Sequence, residues 1–175
     1  MPLFQKSVVK KYINELDTRS IDTAFAAFQA YFHNAGIQEN IRQAKEEQFQ
    51  EGFLRELFVN IFGYVLNPQP NFNLTTELKN IANSKKADGA ILKNEHAVAV
   101  IELKSTQTTD LDSVEGEAFG YKNHHPKCQY VIISNFDKVR FYIQNAVEYL
   151  EFNLFTLNRD EFARMWLCLA AEHLL

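Results

Sequence analysis

Ala97-Val98-Ala99-Val100-Ile101 is an unbroken apolar run that ends in Glu102-Leu103-Lys104. Side chains in a strand alternate between two faces, so a run that is apolar on both belongs in the middle of a sheet covered on each side by helices. Glu102 and Lys104 then project together from one face while Leu103 turns to the other. Charges at the end of a covered strand are costly unless they are paired or bound to a metal. Glu77-Leu78-Lys79 has the same spelling, but it follows the polar stretch Asn71-Phe72-Asn73-Leu74-Thr75-Thr76 and reads as a solvated strand face.

Upstream stands Asp88-Gly89. One reading makes it a hairpin turn. The other continues it into Ala90-Ile91-Leu92 as a strand and gives the turn to Lys93-Asn94-Glu95-His96. On the second reading, the register decides whether Asp88 and Glu102 meet. A two-residue turn at Asn94-Glu95 opposes Asp88 to Ile101 and sends its side chain away from Glu102. An odd-length loop or a bulge opposes Asp88 to Glu102. The expectation is that the two carboxylates face each other.

At 175 residues the chain has the length of one domain and can bury a core without staples. Cys128 and Cys168 show no metal-ligand spacing and are expected to stay reduced in a cytoplasmic setting. No apolar run approaches the ~18 residues of a membrane span, so a membrane role is not expected. Eighteen Lys and Arg against 22 Asp and Glu give a formal net charge of −4. That balance argues against tight nucleic-acid binding by charge alone.

Periodicity predicts two amphipathic helices within residues 1 to about 36, with Asp17 and Ser20 as cap candidates for the second. A longer helix is expected from Ile37 to Phe62, closed by Gly63. Strands are expected at about 72–79, 85–92 and 97–104. A helix over 110–122 follows, opened by a Thr109 and Asp112 capping box, then strands at 129–134, 139–143 and 147–152 and a helix from Asn158 onward. The fold class is α/β (α+β): a central mixed sheet flanked by helices, with extra helices at both ends.

On the long helix, Phe53, Leu54, Leu57, Phe58, Ile61 and Phe62 define an apolar face. Projecting back at the α-helical repeat puts Glu47 near its centre, Gln50 beside it, Glu51 and Glu46 at opposite margins, and Glu56 on the far side. An acid in line with that stripe is a metal ligand or water-positioning residue reaching over the sheet edge, or an exposed first-turn acid favoured by the helix dipole. Lys85, Lys86, Lys122, His124, His125 and Lys127 are candidate phosphate contacts or solvated surface residues.

Helix, three-stranded meander with Asp and then Glu-x-Lys, helix, strand resembles the core order of the PD-(D/E)xK nuclease superfamily. The motif stands here as Ala87-Asp88 and Glu102-Leu103-Lys104, with Ala in place of the usual Pro. More narrowly, the chain is similar to the amino-terminal endonuclease domain of type IIG restriction-modification enzymes. The segments carrying this likeness are Phe53 to Tyr64, Glu117-Ala118-Phe119-Gly120-Tyr121, and Val131-Ile132-Ile133-Ser134-Asn135-Phe136 running into Arg140-Phe141-Tyr142. It covers residues 45–145, leaving residues 1–36 as a helical extension and 158–175 as a terminal helix. Glu117 departs from the Gln of a Gln-x-x-x-Tyr pattern. Type IIG chains are several times longer, so the resemblance implies an excised domain or a stand-alone relative.

The resemblance implies a restriction-endonuclease-like core and a Mg²⁺-dependent deoxyribonuclease, with Mn²⁺ as a substitute ion. Asp88, Glu102 and the backbone carbonyl of Leu103 would bind the metal. Lys104 would act on the attacking water or the phosphate, and Glu47, with Glu46 and Glu51 as alternates, would serve the same site. The implied partners are double-stranded DNA and, in the same chain or complex, methyltransferase and target-recognition domains. Two other readings stay open: a nuclease fold that binds DNA or serves structure without catalysis, and a structure-specific repair nuclease.

Overall fold

The computed structural model describes residues 4–175, so the first three residues of the expected amino-terminal extension lie outside the described residues. Its centre is one six-stranded mixed sheet in the order β1 (Leu74–Lys79), β2 (Lys86–Lys93), β3 (His96–Leu103), β4 (Tyr130–Ser134), β5 (Lys138–Ile143), β6 (Tyr149–Asn153). Neighbours are antiparallel except β3 and β4, which run parallel. A parallel pair needs a crossover, and α5 (Glu115–Asn123) supplies it, preceded by a 3₁₀ turn at Leu111–Val114. The fold is α+β, with helices on both faces of the sheet.

Alternation along β3 and β4 builds two cores. Ala99, Ile101, Leu103 and Ile132 pack with Phe28, Phe53, Leu57 and Phe162 of the flanking helices. Val100, Val131 and Ile133 pack on the other face with Leu111, Val114, Ala118 and Tyr121. β3 is therefore covered on both sides, as its apolar run requires. The first core is built by α1 (Lys6–Glu15), α2 (Thr18–Phe32), α3 (Ala35–Gln43), α4 (Glu46–Phe53) and α6 (Arg159–Leu169), with α7 (Ala171–Leu174) ending the chain.

Three expected helices differ in detail. The helix expected over 37–62 is interrupted, because Ala44 and Lys45 take extended conformations and α4 restarts there. The Lys45 N–H donates to Gln48 Oε1 at 2.7 Å, capping the restart. Beyond α4 the backbone continues as a π-helical turn over Leu54–Val59, with the Asn60 N–H donating to the Arg55 carbonyl at 2.9 Å, and Gly63 (φ 84°) then ends the helical path. Asp110 rather than Thr109 caps the 3₁₀ turn, accepting from the Asp112 N–H at 3.0 Å, because Asp112 instead faces Arg140. The last helix begins at Asn158 as expected, with Asn158 as its cap, but it breaks at the extended Ala170. Among the described residues, no helix is long and apolar enough to cross a membrane.

Candidate functional site

The turn between β2 and β3 is the two-residue Asn94-Glu95 form, both residues having positive φ (50° and 66°). That is the geometry of a tight hairpin turn matched to strand twist. Carried along a regular ladder from the Lys93 to His96 pair, it would oppose Asp88 to Ile101. A bulge corrects this: Leu92 pairs with Ala97 but Ile91 pairs with Ala99, so Val98 is the extra residue. From there Gly89 opposes Ile101; the same register carried one residue further brings Asp88 opposite Glu102, and the two carboxyls interact. One inserted residue thus turns both carboxylates to the same face, the one covered by α5.

The chain fixes this arrangement with backbone bonds. The Leu103 N–H donates to Asp88 Oδ2 at 2.8 Å. In an extended strand the C=O of a residue leaves the same edge as its N–H, so the Leu103 carbonyl belongs to the edge facing Asp88. On the other side, the Lys104 N–H donates to the Ser134 carbonyl at 2.9 Å, extending the parallel pairing one residue past β3. Gly89 lets the π-helical turn approach: a Cβ there would lie 3.3 Å from Leu54 Cδ1.

Glu102 is 3% exposed, and its Oε2 is buried without a hydrogen-bond partner. Burial, reinforced by Asp88 and Glu117, pushes its carboxyl up to about 9. Burial also raises Asp88, against the Leu103 N–H, which works to lower it. Two carboxyls this close cannot both ionise freely without a cation between them. Lys104 Nζ lies 3.4 Å from Glu102 Oε1 and 3.3 Å from Glu117 Oε2. Burial opposes its charge, but Glu102 and Glu117 outweigh burial and hold its pKa above the ordinary lysine value. The Tyr121 hydroxyl donates to Glu117 Oε1 at 3.3 Å.

The helix acid at this site is Glu46, not Glu47. Glu46 is half-buried, its carboxyl is raised first by burial, and it interacts electrostatically with Lys104, Asp88 and Glu117. Glu47 is exposed. The physical reason is the π-helical turn: its hydrogen bonds span one residue more than those of an α-helix, so projection back from Phe58 and Ile61 at the α repeat stops about one residue short. Gln50 supports Glu46, donating from Nε2 to Glu46 Oε1 at 3.2 Å. Glu51 is turned outward to Arg55 at 2.7 Å, and Glu56 accepts from Asn60 at 3.2 Å.

The basic candidates divide. Lys85 and Lys86 lead into β2 two or three residues before Asp88. His124 joins them at that end, with Asn83 Nδ2 lying 3.5 Å from its Nε2. Lys122 and His125 are half-buried at the end of α5, and the His125 Nε2 is buried without a partner. Lys127 does not join the site: it lines a groove with Lys93, Asn94, His96 and Gln129 at the hairpin end of β2 and β3. Sequence neighbourhood with His124 misleads there, because the chain turns at Pro126 and enters β4 at the other end of the sheet. Cys128 and Cys168 are free thiols.

Among the described residues, no three His, Cys, Asp or Glu side chains are grouped to hold a metal by themselves. The donor set still fits Mg²⁺, a hard ion that keeps several waters and is commonly held through one or two carboxylates. Asp88 and Glu102 supply hard oxygens, Glu102 Oε2 lacks a partner, and four acids (Asp88, Glu102, Glu117 and Glu46) surround the single cation Lys104. A divalent ion answers each of these features. No protein-family model, characterised protein or solved structure matches the chain.

Proposed function

We propose that the chain is a metal-dependent DNA endonuclease domain with a restriction-endonuclease-like core, the cleavage module of a type IIG restriction-modification enzyme. The observation that supports this reading is the register shift at Val98, which brings Asp88 toward Glu102 beside Lys104. A bulge that re-aims one side chain toward another acid, in a buried setting, is a feature of sites rather than of sheet construction.

Asp88, Glu102 and the Leu103 carbonyl would hold Mg²⁺ or Mn²⁺. When bound, the ion polarises the scissile phosphate and lowers the pKa of a coordinated water. Lys104 stays protonated between Glu102 and Glu117 and stabilises charge developing on the phosphate. Glu46 lies across from Lys104 and orients water at the mouth of the site. Lys85, Lys86 and His124 stand on the rim and meet the DNA backbone. Sequence recognition and methylation belong to partner domains in the same chain or complex, since phosphate contacts position a duplex without reading it.

The test is nicking of supercoiled plasmid in Mg²⁺ by the wild type and Lys104→Ala at matched concentration. Wild-type nicking that stops with chelator and is lost in Lys104→Ala supports the assignment; equal nicking by both, or none by the wild type at high concentration, overturns it.

A further inference from the structure

Beside the acid site, the β1–β2 connection carries Ile81, which is 72% exposed. A single exposed isoleucine is ordinary by itself. Val147, 82% exposed in the β5–β6 turn, is an example, with Glu148 as its neighbour in sequence. Ile81 differs in its setting. The stretch from Lys79 to Lys86 contains Lys79, Lys85 and Lys86, all exposed, in a chain whose net charge is −4; Lys86 makes one loose, exposed ion pair with Glu77 at 3.8 Å, which a phosphate can displace.

The loop is also built to hold its shape. Asn80, only 4% exposed, donates its N–H to the Lys85 carbonyl at 2.9 Å and its Nδ2 to Asn83 Oδ1 at 3.2 Å. Asn83 Oδ1 also accepts from the Lys85 N–H at 2.9 Å, and its amide abuts His124. A polar base is therefore buried while an apolar tip is presented outward. Ordinary loop physics would do the reverse.

We propose that the β1–β2 loop is a duplex-contact wedge: Ile81 lies on a base step in the minor groove, while Lys85 and Lys86 hold flanking phosphates. This rests on the DNA-cleaving reading of the neighbouring site. Apolar wedges flanked by cations suit this task, because unstacking a step exposes apolar base faces and phosphates reward nearby lysines. The loop runs directly into β2, two residues from Lys86 to Asp88, so a seated wedge fixes the duplex relative to the acid pair.

The experiment measures binding without cleavage, using the whole chain, Ca²⁺ in place of Mg²⁺, and a short mixed-sequence duplex. One copy is fluorescein-labelled for anisotropy and another carries 2-aminopurine, which brightens when unstacked. The wild type should brighten 2-aminopurine. Ile81→Ser should abolish the brightening and weaken binding about tenfold. Lys85→Ala combined with Lys86→Ala should reduce the slope of log affinity against log salt by about 2. Val147→Ser should behave as wild type. Wild-type brightening and affinity in Ile81→Ser would overturn the wedge. Plasmid nicking by the same proteins separates the two ideas: nicking with Ile81-independent binding sinks the wedge alone, whereas Ile81-dependent binding without nicking sinks the cleavage reading and keeps the wedge.

Discussion

Two clusters of charge flank α5, and they are built to opposite rules. Arg140 on β5 is 8% exposed and partnered through Nε and Nη1. Its guanidinium donates to Asp112 and to Glu151 at 2.7 Å, reaches the Tyr142 hydroxyl at 3.2 Å, and stacks 4.0 Å from the Tyr149 ring centroid. Tyr142 in turn donates to Glu115 at 2.7 Å. The Asp88, Glu102 and Lys104 cluster instead holds an unpartnered buried oxygen and carboxyls raised above their usual range by burial. The first cluster ties the 3₁₀ turn, β5 and β6 together. The second buries carboxyls that its one lysine leaves incompletely partnered.

If that contrast is right, substitutions should sort by cluster. The largest effect should be on catalysis. Asp88→Ala, Glu102→Ala or Lys104→Ala should lower the plasmid nicking rate by about two to three orders of magnitude while the circular dichroism spectrum is kept. Arg140→Ala should do the opposite, costing about 1–2 kcal/mol of stability by denaturant unfolding, because it removes the bonds to Glu151 and to the buried Tyr142 hydroxyl. Comparable stability losses at both clusters would erase the distinction.

A smaller effect should follow pH. Folding raises the Glu102 carboxyl from an ordinary 4.5 to about 9, so the folded chain binds its proton more tightly than the unfolded chain. Stability from this group is complete below pH 4.5 and is lost as pH rises toward about 9. Without metal, the melting temperature should therefore decline across that window, and Glu102→Gln should flatten the decline. Added Mg²⁺ should raise the melting temperature most at the alkaline end, since the ion needs deprotonated ligands. The smallest effect belongs to Gly89→Ala, where the new methyl crowds Leu54 and should cost about 1 kcal/mol.

Much of this molecule is legible in residue order. The covered strand ending at Glu102 and Lys104, the turn at Asn94-Glu95 and the caps Asp17 and Asn158 follow from alternation and local hydrogen bonding. The bulge at Val98 is not legible, because Ala97, Val98 and Ala99 are interchangeable in pattern. On its other edge the Val98 carbonyl accepts from the Gln129 N–H at 2.9 Å, a partner that residue order does not announce. The choice of Glu46 over Glu47 was hidden for a related reason, since Leu54–Val59 reads as ordinary α-helix until the i to i+5 bonds are seen. The role of Glu117 as the second partner of Lys104 had one local signal, its i, i+4 spacing to Tyr121. Both clusters beside α5 use residues far apart in sequence, and only sheet order joins them.

The most direct test is calorimetric titration of Mn²⁺ at pH 8 into the wild type, Glu102→Gln and Glu151→Gln. A metal site at the buried carboxyls predicts saturable binding in the wild type and in Glu151→Gln, and its loss in Glu102→Gln. Equal binding by the wild type and Glu102→Gln, or no binding by the wild type, would contradict a metal site at Asp88 and Glu102.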